Sequence, residues 1–219
     1  MEIAVLRNVF AKNENAAREN RRRFDEQGVT CLNLLGGAGS GKTSILEAVL
    51  PLLSKSLRVA VLEGDLATTR DAERIAKLNV PVVQLLTDGG CHLTATLVQQ
   101  GLTRVPLDAT DLLIVENVGN PICPANYDLG EHARISVLSV SEGADKPSKY
   151  PLLFKDVAMV LLTKCDLLPY TNFDIDQAEA DIRRVNPDCE IIRTDTRGPT
   201  GIDRLAAWIL GRRQGGNRR

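Results

Sequence analysis

One stretch constrains the fold more than any other. Gly36, Gly41, Lys42 and Thr43 complete the pattern G-x-x-x-x-G-K-[ST]. The apolar run over residues 29–35 reads as a buried strand, and residues 44–53 carry helical periodicity, with Ile45, Leu46, Val49 and Leu50 on one face. A strand, a glycine-rich loop and a helix in that order make a phosphate-binding loop. Glycines let backbone N–H groups converge on an anion, and the helix N-terminus adds its positive end. Gly37, Ala38, Gly39, Ser40, Gly41, Lys42, Thr43 and Ser44 should therefore cradle a nucleotide's phosphates. Lys42 should reach the β- and γ-phosphates, and the Thr43 hydroxyl should ligate Mg²⁺. No other basic residue stands out as a substitute for Lys42.

A chain of 219 residues can bury one sizeable core. Strands alternate with helices: apolar runs at 57–63, 80–85, 111–116, 134–140, 157–163 and 190–193 are separated by helical patterns at 70–78, 91–100, 174–185 and 202–210. That alternation predicts an α/β fold, a mostly parallel central sheet covered by helices on both faces. Residues 1–28 read as an N-terminal helical segment ending at Gly28, residues 29–211 as the phosphate-loop domain, and 212–219 as a disordered basic tail. The formal net charge of −1 gives no global field for nucleic acid or membrane, and the basic run Arg21-Arg22-Arg23 reads as solvated. No apolar stretch approaches a membrane span, and no signal peptide opens the chain. Five scattered cysteines suggest reduced, cytoplasmic thiols.

Ligands of parallel sheets bind where strand C-terminal ends gather. Asp65 ends a strand, where an acid holds Mg²⁺ directly or through water, or merely caps a turn. Glu116 ends another and can serve the metal or the attacking water, while the Gly119 N–H can sense a γ-phosphate. Lys42, Asp65 and Glu116 are the candidate catalytic residues, and Thr43, Asp65 and Glu116 the candidate magnesium set. Thr163-Lys164-Cys165-Asp166 ends a further strand and is close to the Asn-Lys-x-Asp of GTPases. There the Asp carboxylate accepts from guanine N1–H and N2–H₂, a pair adenine cannot offer, and the Lys stem packs on the base. Cys91, His92 and Cys123 offer two thiolates and an imidazole, which suit Ni²⁺ or Zn²⁺ and not Mg²⁺. Spacing alone leaves open that these are unrelated buried cysteines and a capping histidine. Cys91-His92 reads as opening a helix, Cys31 and Cys189 read as core, and His132 as surface.

Taken together, the blocks Glu63-Gly64-Asp65, Asp71-Ala72-Glu73-Arg74-Ile75, Cys91-His92-Leu93, Glu116-Asn117-Val118-Gly119-Asn120, Cys123-Pro124-Ala125 and Asp145-Lys146-Pro147-Ser148-Lys149-Tyr150-Pro151 resemble the HypB family, over residues 10–210. The family comprises SIMIBI-type P-loop GTPases of nickel insertion into [NiFe]-hydrogenase precursors. The resemblance implies a cytoplasmic, GTP-controlled metallochaperone that forms a GTP-dependent homodimer. It implies nickel or zinc at Cys91, His92 and Cys123, near the dimer interface. The implied partners are a HypA-type zinc metallochaperone, docking near the N-terminal segment, and the hydrogenase large-subunit precursor complex. Three departures stand out. The chain has no N-terminal Cys-x-x-Cys or His-rich tract, Thr163 stands where Asn is usual, and Asp88 where Gly is usual beside the Cys-His pair. The competing readings are a P-loop kinase, for which no acceptor base stands out, and a metal-binding interaction protein with a degenerate nucleotide site.

Overall fold

The computed structural model describes residues 9–198 and 200–212. Seven strands, β1 (Thr30–Gly36), β2 (Val59–Asp65), β3 (Val82–Leu86), β4 (Leu112–Glu116), β5 (Ala133–Ser139), β6 (Met159–Thr163) and β7 (Glu190–Arg193), form one sheet in the order β3-β2-β4-β1-β5-β6-β7. Every neighbouring pair is parallel. The helices are α1 (Val9–Gln27), α2 (Lys42–Leu53), α3 (Arg70–Ala76), α4 (Ala95–Leu102), α5 (Lys146–Lys149), α6 (Leu152–Lys155), α7 (Ile175–Val185) and α8 (Ile202–Gly211). Among the described residues no helix is long and apolar enough to cross a membrane.

The central strands β1, β4 and β6 are buried along their whole length, as strands covered on both faces must be. Side chains alternate across the sheet. Leu32 and Leu34 of β1 face a core that includes Ile45 and Val49 of α2 and Leu205 and Ile209 of α8. Cys31 faces the other way, into a core with Phe24 of α1 and Val98 and Leu102 of α4. Leu35 and Leu162 share a third cluster with Phe154 of α6 and Ile182 of α7. Cys31 and Cys189 are buried, as the sequence suggests. Gly28 ends α1 in the left-handed region, with φ 61.

Four expectations need correction. Cys91-His92 does not open a helix: α4 starts at Ala95, and Thr94 caps it by accepting from the Leu97 N–H at 3.2 Å. A β-branched hydroxyl residue with extended backbone outcompetes the Cys-His pair as the helix start. His132 is not a surface residue; its side chain is 10% exposed and bonded at both nitrogens. Nδ1 accepts the Cys31 N–H at 2.8 Å and Nε2 meets Asp25 at 3.0 Å. Arg21 is not merely solvated: its Nε donates to the Gly130 carbonyl at 2.8 Å and the guanidinium also reaches the Glu131 carbonyl. Arg212, assigned to the tail, instead follows α8 directly, its guanidinium 4.1 Å over the Trp208 ring. Residues 213–219 of that tail, and residues 1–8 of the N-terminal segment, lie outside the described residues.

β1 lies between β4 and β5, so its C-terminal loop opens at the middle of the carboxyl rim. The ends of β2, β4 and β6 stand around it, and only strand pairing brings together residues so far apart in sequence.

Candidate functional site

The phosphate loop runs from the end of β1 into α2. Gly41 immediately precedes the helix with φ 100, a conformation that costs a side chain dearly. A cavity of about 430 Å³ opens over it, lined among others by Ala38, Gly39, Gly41, Lys42, Thr43, Ser44, Asp65, Glu116, Gly119 and Lys164. Ser40 lies beneath, fully buried. Gly37 contributes its carbonyl to the loop's interior: Lys42 Nζ donates to Gly37 O at 3.3 Å and Gly36 O at 3.4 Å. Burial pushes the Lys42 ammonium below its ordinary pKa, with Glu116 the main opposing charge.

Thr43 Oγ1 donates to Glu116 Oε1 at 2.7 Å, joining the first residues of α2 to the end of β4. Beside them is an acid that the sequence alone does not mark as part of the site. Glu63 of β2 is in register with Glu116 of β4 and 2% exposed. Glu63 Oε2 and Glu116 Oε2 are both buried without a hydrogen-bond partner among the described residues. Burial, and for Glu63 the neighbouring Glu116, push these carboxyls up to about 8 and about 7. Asp71 of α3 joins them, since Glu63, Asp65 and Asp71 place carboxylate oxygens within 4.8 Å of one another. Asp65 itself accepts from Thr68 Oγ1 at 2.6 Å. Orphaned carboxylate oxygens next to a threonine hydroxyl are hard oxygen donors, and the set fits Mg²⁺.

These buried acids give a pH dependence. Folding keeps a proton on Glu63 that the unfolded chain releases near 4.5. The associated stability is therefore full below that pH and lost as pH rises through about 8. The nucleotide-free chain, without divalent cation, should lose a few kcal/mol between pH 5 and pH 8, since each tenfold change in proton affinity is worth about 1.4 kcal/mol. Calorimetric melting across this range should show it, and Glu63→Gln should make the fall shallower, leaving the part that Glu116 contributes up to about 7. A wild-type melting temperature that holds or rises over the same range would contradict the buried pair.

Arg74 also lines the cavity, so Lys42 does have a basic neighbour. Its guanidinium is engaged, however: to Glu47 at 2.5 Å and 3.0 Å, to Asp71 at 2.9 Å and to Ser44 Oγ at 3.1 Å.

At the β6 end, Thr163 Oγ1 donates to Ser40 O at 2.6 Å. The shorter residue at the usual Asn position thus still ties its strand to the phosphate loop. Lys164, with φ 58, donates from Nζ to Gly39 O at 2.7 Å. Asp166 does not line the cavity; it follows Lys164 by two residues, in a 3-10 turn, its side chain 25% exposed and 4.0 Å from Arg197.

Cys91, His92 and Cys123 converge although helix α4 and strand β4 separate the outer pair: their ligating atoms all lie within 4.8 Å of one another. Cys91 Sγ is 3.6 Å from His92 Nδ1, and the His92 ring stacks on Tyr127 at 3.7 Å. Burial lowers the His92 pKa, favouring the neutral imidazole that ligates metals. The Asp88 carboxylate is not part of this set. Asp88 holds φ 50, in the left-handed region that Gly enters at no cost.

Two links tie this set to the phosphate loop. Gly119 packs so closely that a Cβ on it would lie 2.8 Å from Ala38 Cα. Asn120 forms an antiparallel bridge with Gly36, and its Oδ1 accepts from the Ile122 and Cys123 N–H groups at 2.8 Å and 3.3 Å.

The comparisons with known proteins agree with this geometry. Residues 30–193 match the family model of the CobW/HypB/UreG nucleotide-binding domain. The chain is 45% identical to the hydrogenase maturation factor HypB of Azotobacter vinelandii, covering 99% of this chain and 71% of that protein. Among solved structures, HypB from Helicobacter pylori in complex with nickel superposes with a TM-score of 0.88 at 33% identity, covering 95% of this chain and 100% of that one. HypB from Archaeoglobus fulgidus gives 0.86 at 31% identity, covering 92% and 98%. The sheet is the all-parallel one of SIMIBI-type P-loop proteins. With its phosphate loop, its acid-lined cavity and its convergent Cys-His-Cys set, this chain belongs to the HypB family within the CobW/HypB/UreG nucleotide-binding proteins.

Proposed function

We propose that this chain is a GTP-hydrolysing metallochaperone that delivers nickel during [NiFe]-hydrogenase maturation, with nucleotide state gating the metal. The observation that carries this reading is the placement of Cys91, His92 and Cys123 together at one end of a loop whose other end, Glu116 to Gly119, lines the nucleotide cavity. Lys42 exchanges its loop carbonyls for the β- and γ-phosphates and neutralises the charge that grows there. Asp166 selects guanine and Lys164 covers the base. Thr43, Glu116 and Asp65 would hold Mg²⁺, which would supply charge neutralisation to the phosphates. Glu116 also orients the attacking water. Gly119, in contact with Ala38, responds to the γ-phosphate. Zinc is the alternative cargo, since two thiolates and an imidazole accept both ions. Three ligands leave a position that water or a second copy fills, so a GTP-favoured homodimer completes the site. The HypA-type zinc protein and the hydrogenase large-subunit precursor are the partners that this role requires, and the cytoplasm its compartment.

The test is nickel affinity of the nucleotide-free, GDP and GTP-analogue forms, read from the thiolate charge-transfer band, with sedimentation and GTP turnover on the same samples. The affinities should differ by about 5- to 150-fold, the usual range of coupling between sites. Cys91→Ala, His92→Ala and Cys123→Ala should each weaken binding, and affinity should rise with pH as the ligands deprotonate. Equal affinities in all three forms would remove the gating, and no turnover above buffer would remove the hydrolase. Loss of the band in Cys31→Ala with its retention in Cys123→Ala would show that the ligands are misassigned.

A further inference from the structure

The two halves of the Cys-His-Cys set hang from different parts of the nucleotide site. Cys123 hangs from the phosphate loop, through Asn120 and its bridge to Gly36. The Cys91-His92 half hangs from Leu93. That residue is wholly buried, although a polar loop precedes it. Its N–H donates to Asn117 Oδ1 at 3.2 Å, and Asn117 directly follows Glu116. The same oxygen takes the Val118 N–H at 3.0 Å, so the acceptor is fixed in place. Its side chain lies against Gly64, which separates Glu63 from Asp65. A Cβ on Gly64 would fall 2.7 to 2.9 Å from three carbons of Leu93. One residue therefore touches the acidic ends of both β2 and β4, by a hydrogen bond to one and by packing on the other.

We infer that Leu93 is the positioning residue that transmits nucleotide state to the metal ligands, an inference that rests on the nucleotide-gated reading above. A close-packed contact without free space passes a displacement on instead of absorbing it. When the ends of β2 and β4 draw toward a bound triphosphate and its cation, Leu93 moves with them. His92 is its covalent neighbour and is re-aimed. Cys123 follows the phosphate loop instead. The nitrogen-to-sulfur geometry then depends on the offset between loop and acidic strand ends, which is what a triphosphate sets and a diphosphate does not. A side chain at Gly64 could enter only by displacing Leu93 from this contact.

Leu93 ligates nothing, so the inference separates from the ligand assignment. Nickel affinity would be measured in the GDP and GTP-analogue forms of the full chain for wild type, Leu93→Ala and the volume-conserving Leu93→Met. The ratio between the two forms should collapse toward one in Leu93→Ala and persist in Leu93→Met. Nickel affinity of the nucleotide-free form should stay within about threefold in both, below the ordinary range of coupling effects. A lower melting temperature with an unchanged ratio would reduce Leu93 to a packing residue and overturn the inference while leaving nucleotide gating intact. A wild-type ratio of one would overturn the gating and this inference with it. If Leu93→Ala does not fold, Leu93→Val, which removes less volume, carries the same comparison with the same two outcomes.

Discussion

Lys42→Ala should reduce GTP turnover to background and weaken GTP binding. Turnover of the unmodified chain is expected to be slow already, about 10⁻⁴ to 10⁻² s⁻¹, as in GTPases that lack a partner's arginine. Removing a preorganised charge at the developing anion costs about 10²- to 10³-fold. Of the other cations lining the cavity, Arg74 cannot take over without giving up Glu47, Asp71 and Ser44, and Lys164 is held on the Gly39 carbonyl. The same substitution should leave folding nearly untouched. Without phosphate, the hydrogen bonds of the buried ammonium among the described residues are two long contacts to carbonyls, and its pKa is already depressed by burial. Single-turnover phosphate release and a melting curve on one preparation test both halves. Wild-type turnover in the variant would end the assignment, and a collapse in melting temperature would show that Lys42 supports the loop and not the chemistry.

Asp166→Asn should exchange guanine for xanthine. A carboxylate accepting from N1–H and N2–H₂ makes two hydrogen bonds to a charged group, each about 1.5–3 kcal/mol. Their loss weakens GTP by about 10²- to 10⁴-fold, at about 1.4 kcal/mol for each tenfold. An amide instead suits the altered edge of xanthosine triphosphate, which should gain. Asp166 sits on the turn that follows Thr163 and Lys164, and both of those hold the phosphate loop. The turn that carries Asp166 and the phosphate loop are therefore fixed to each other in the nucleotide-free chain. Competition of ATP, GTP and xanthosine triphosphate against a fluorescent GTP analogue measures the exchange. Equal ATP and GTP affinity in the unmodified chain would mean that Asp166 reads nothing.

What is legible in the sequence is local. The strand, loop and helix around Lys42 are contiguous, and each fixes the next, so the phosphate loop can be read directly. The strand ends carrying Asp65, Glu116 and Thr163 are legible too, because apolar runs end abruptly in polar residues. Glu63 is not legible as a site residue. It stands inside a strand, and only the pairing of β2 with β4 sets it beside Glu116. Strand register is written in no local pattern. Arg74 and Asp71 escape for the same reason, since α3 turns them toward a cavity built mostly by other elements. His132 reads as surface because its partners, Cys31 and Asp25, lie about a hundred residues earlier. The helix start after His92 is different, since its signal is local: Thr94 carries the hydroxyl that a helix cap needs.

The strand order has a consequence for synthesis on the ribosome. β1 carries the phosphate loop, yet its two hydrogen-bonding neighbours are β4 and β5, so Thr30 pairs with Leu112 and Leu32 with Ala133. A growing chain that has emerged only as far as β3 holds the whole glycine-rich loop but neither wall of the slot in which β1 lies. Closing such long segments is entropically slow, and parallel pairing offers no hairpin to start from. The nucleotide site is therefore assembled late, once more than half the polypeptide is out. Until then the apolar strand β1 lacks both of its pairing partners and is open to non-native association.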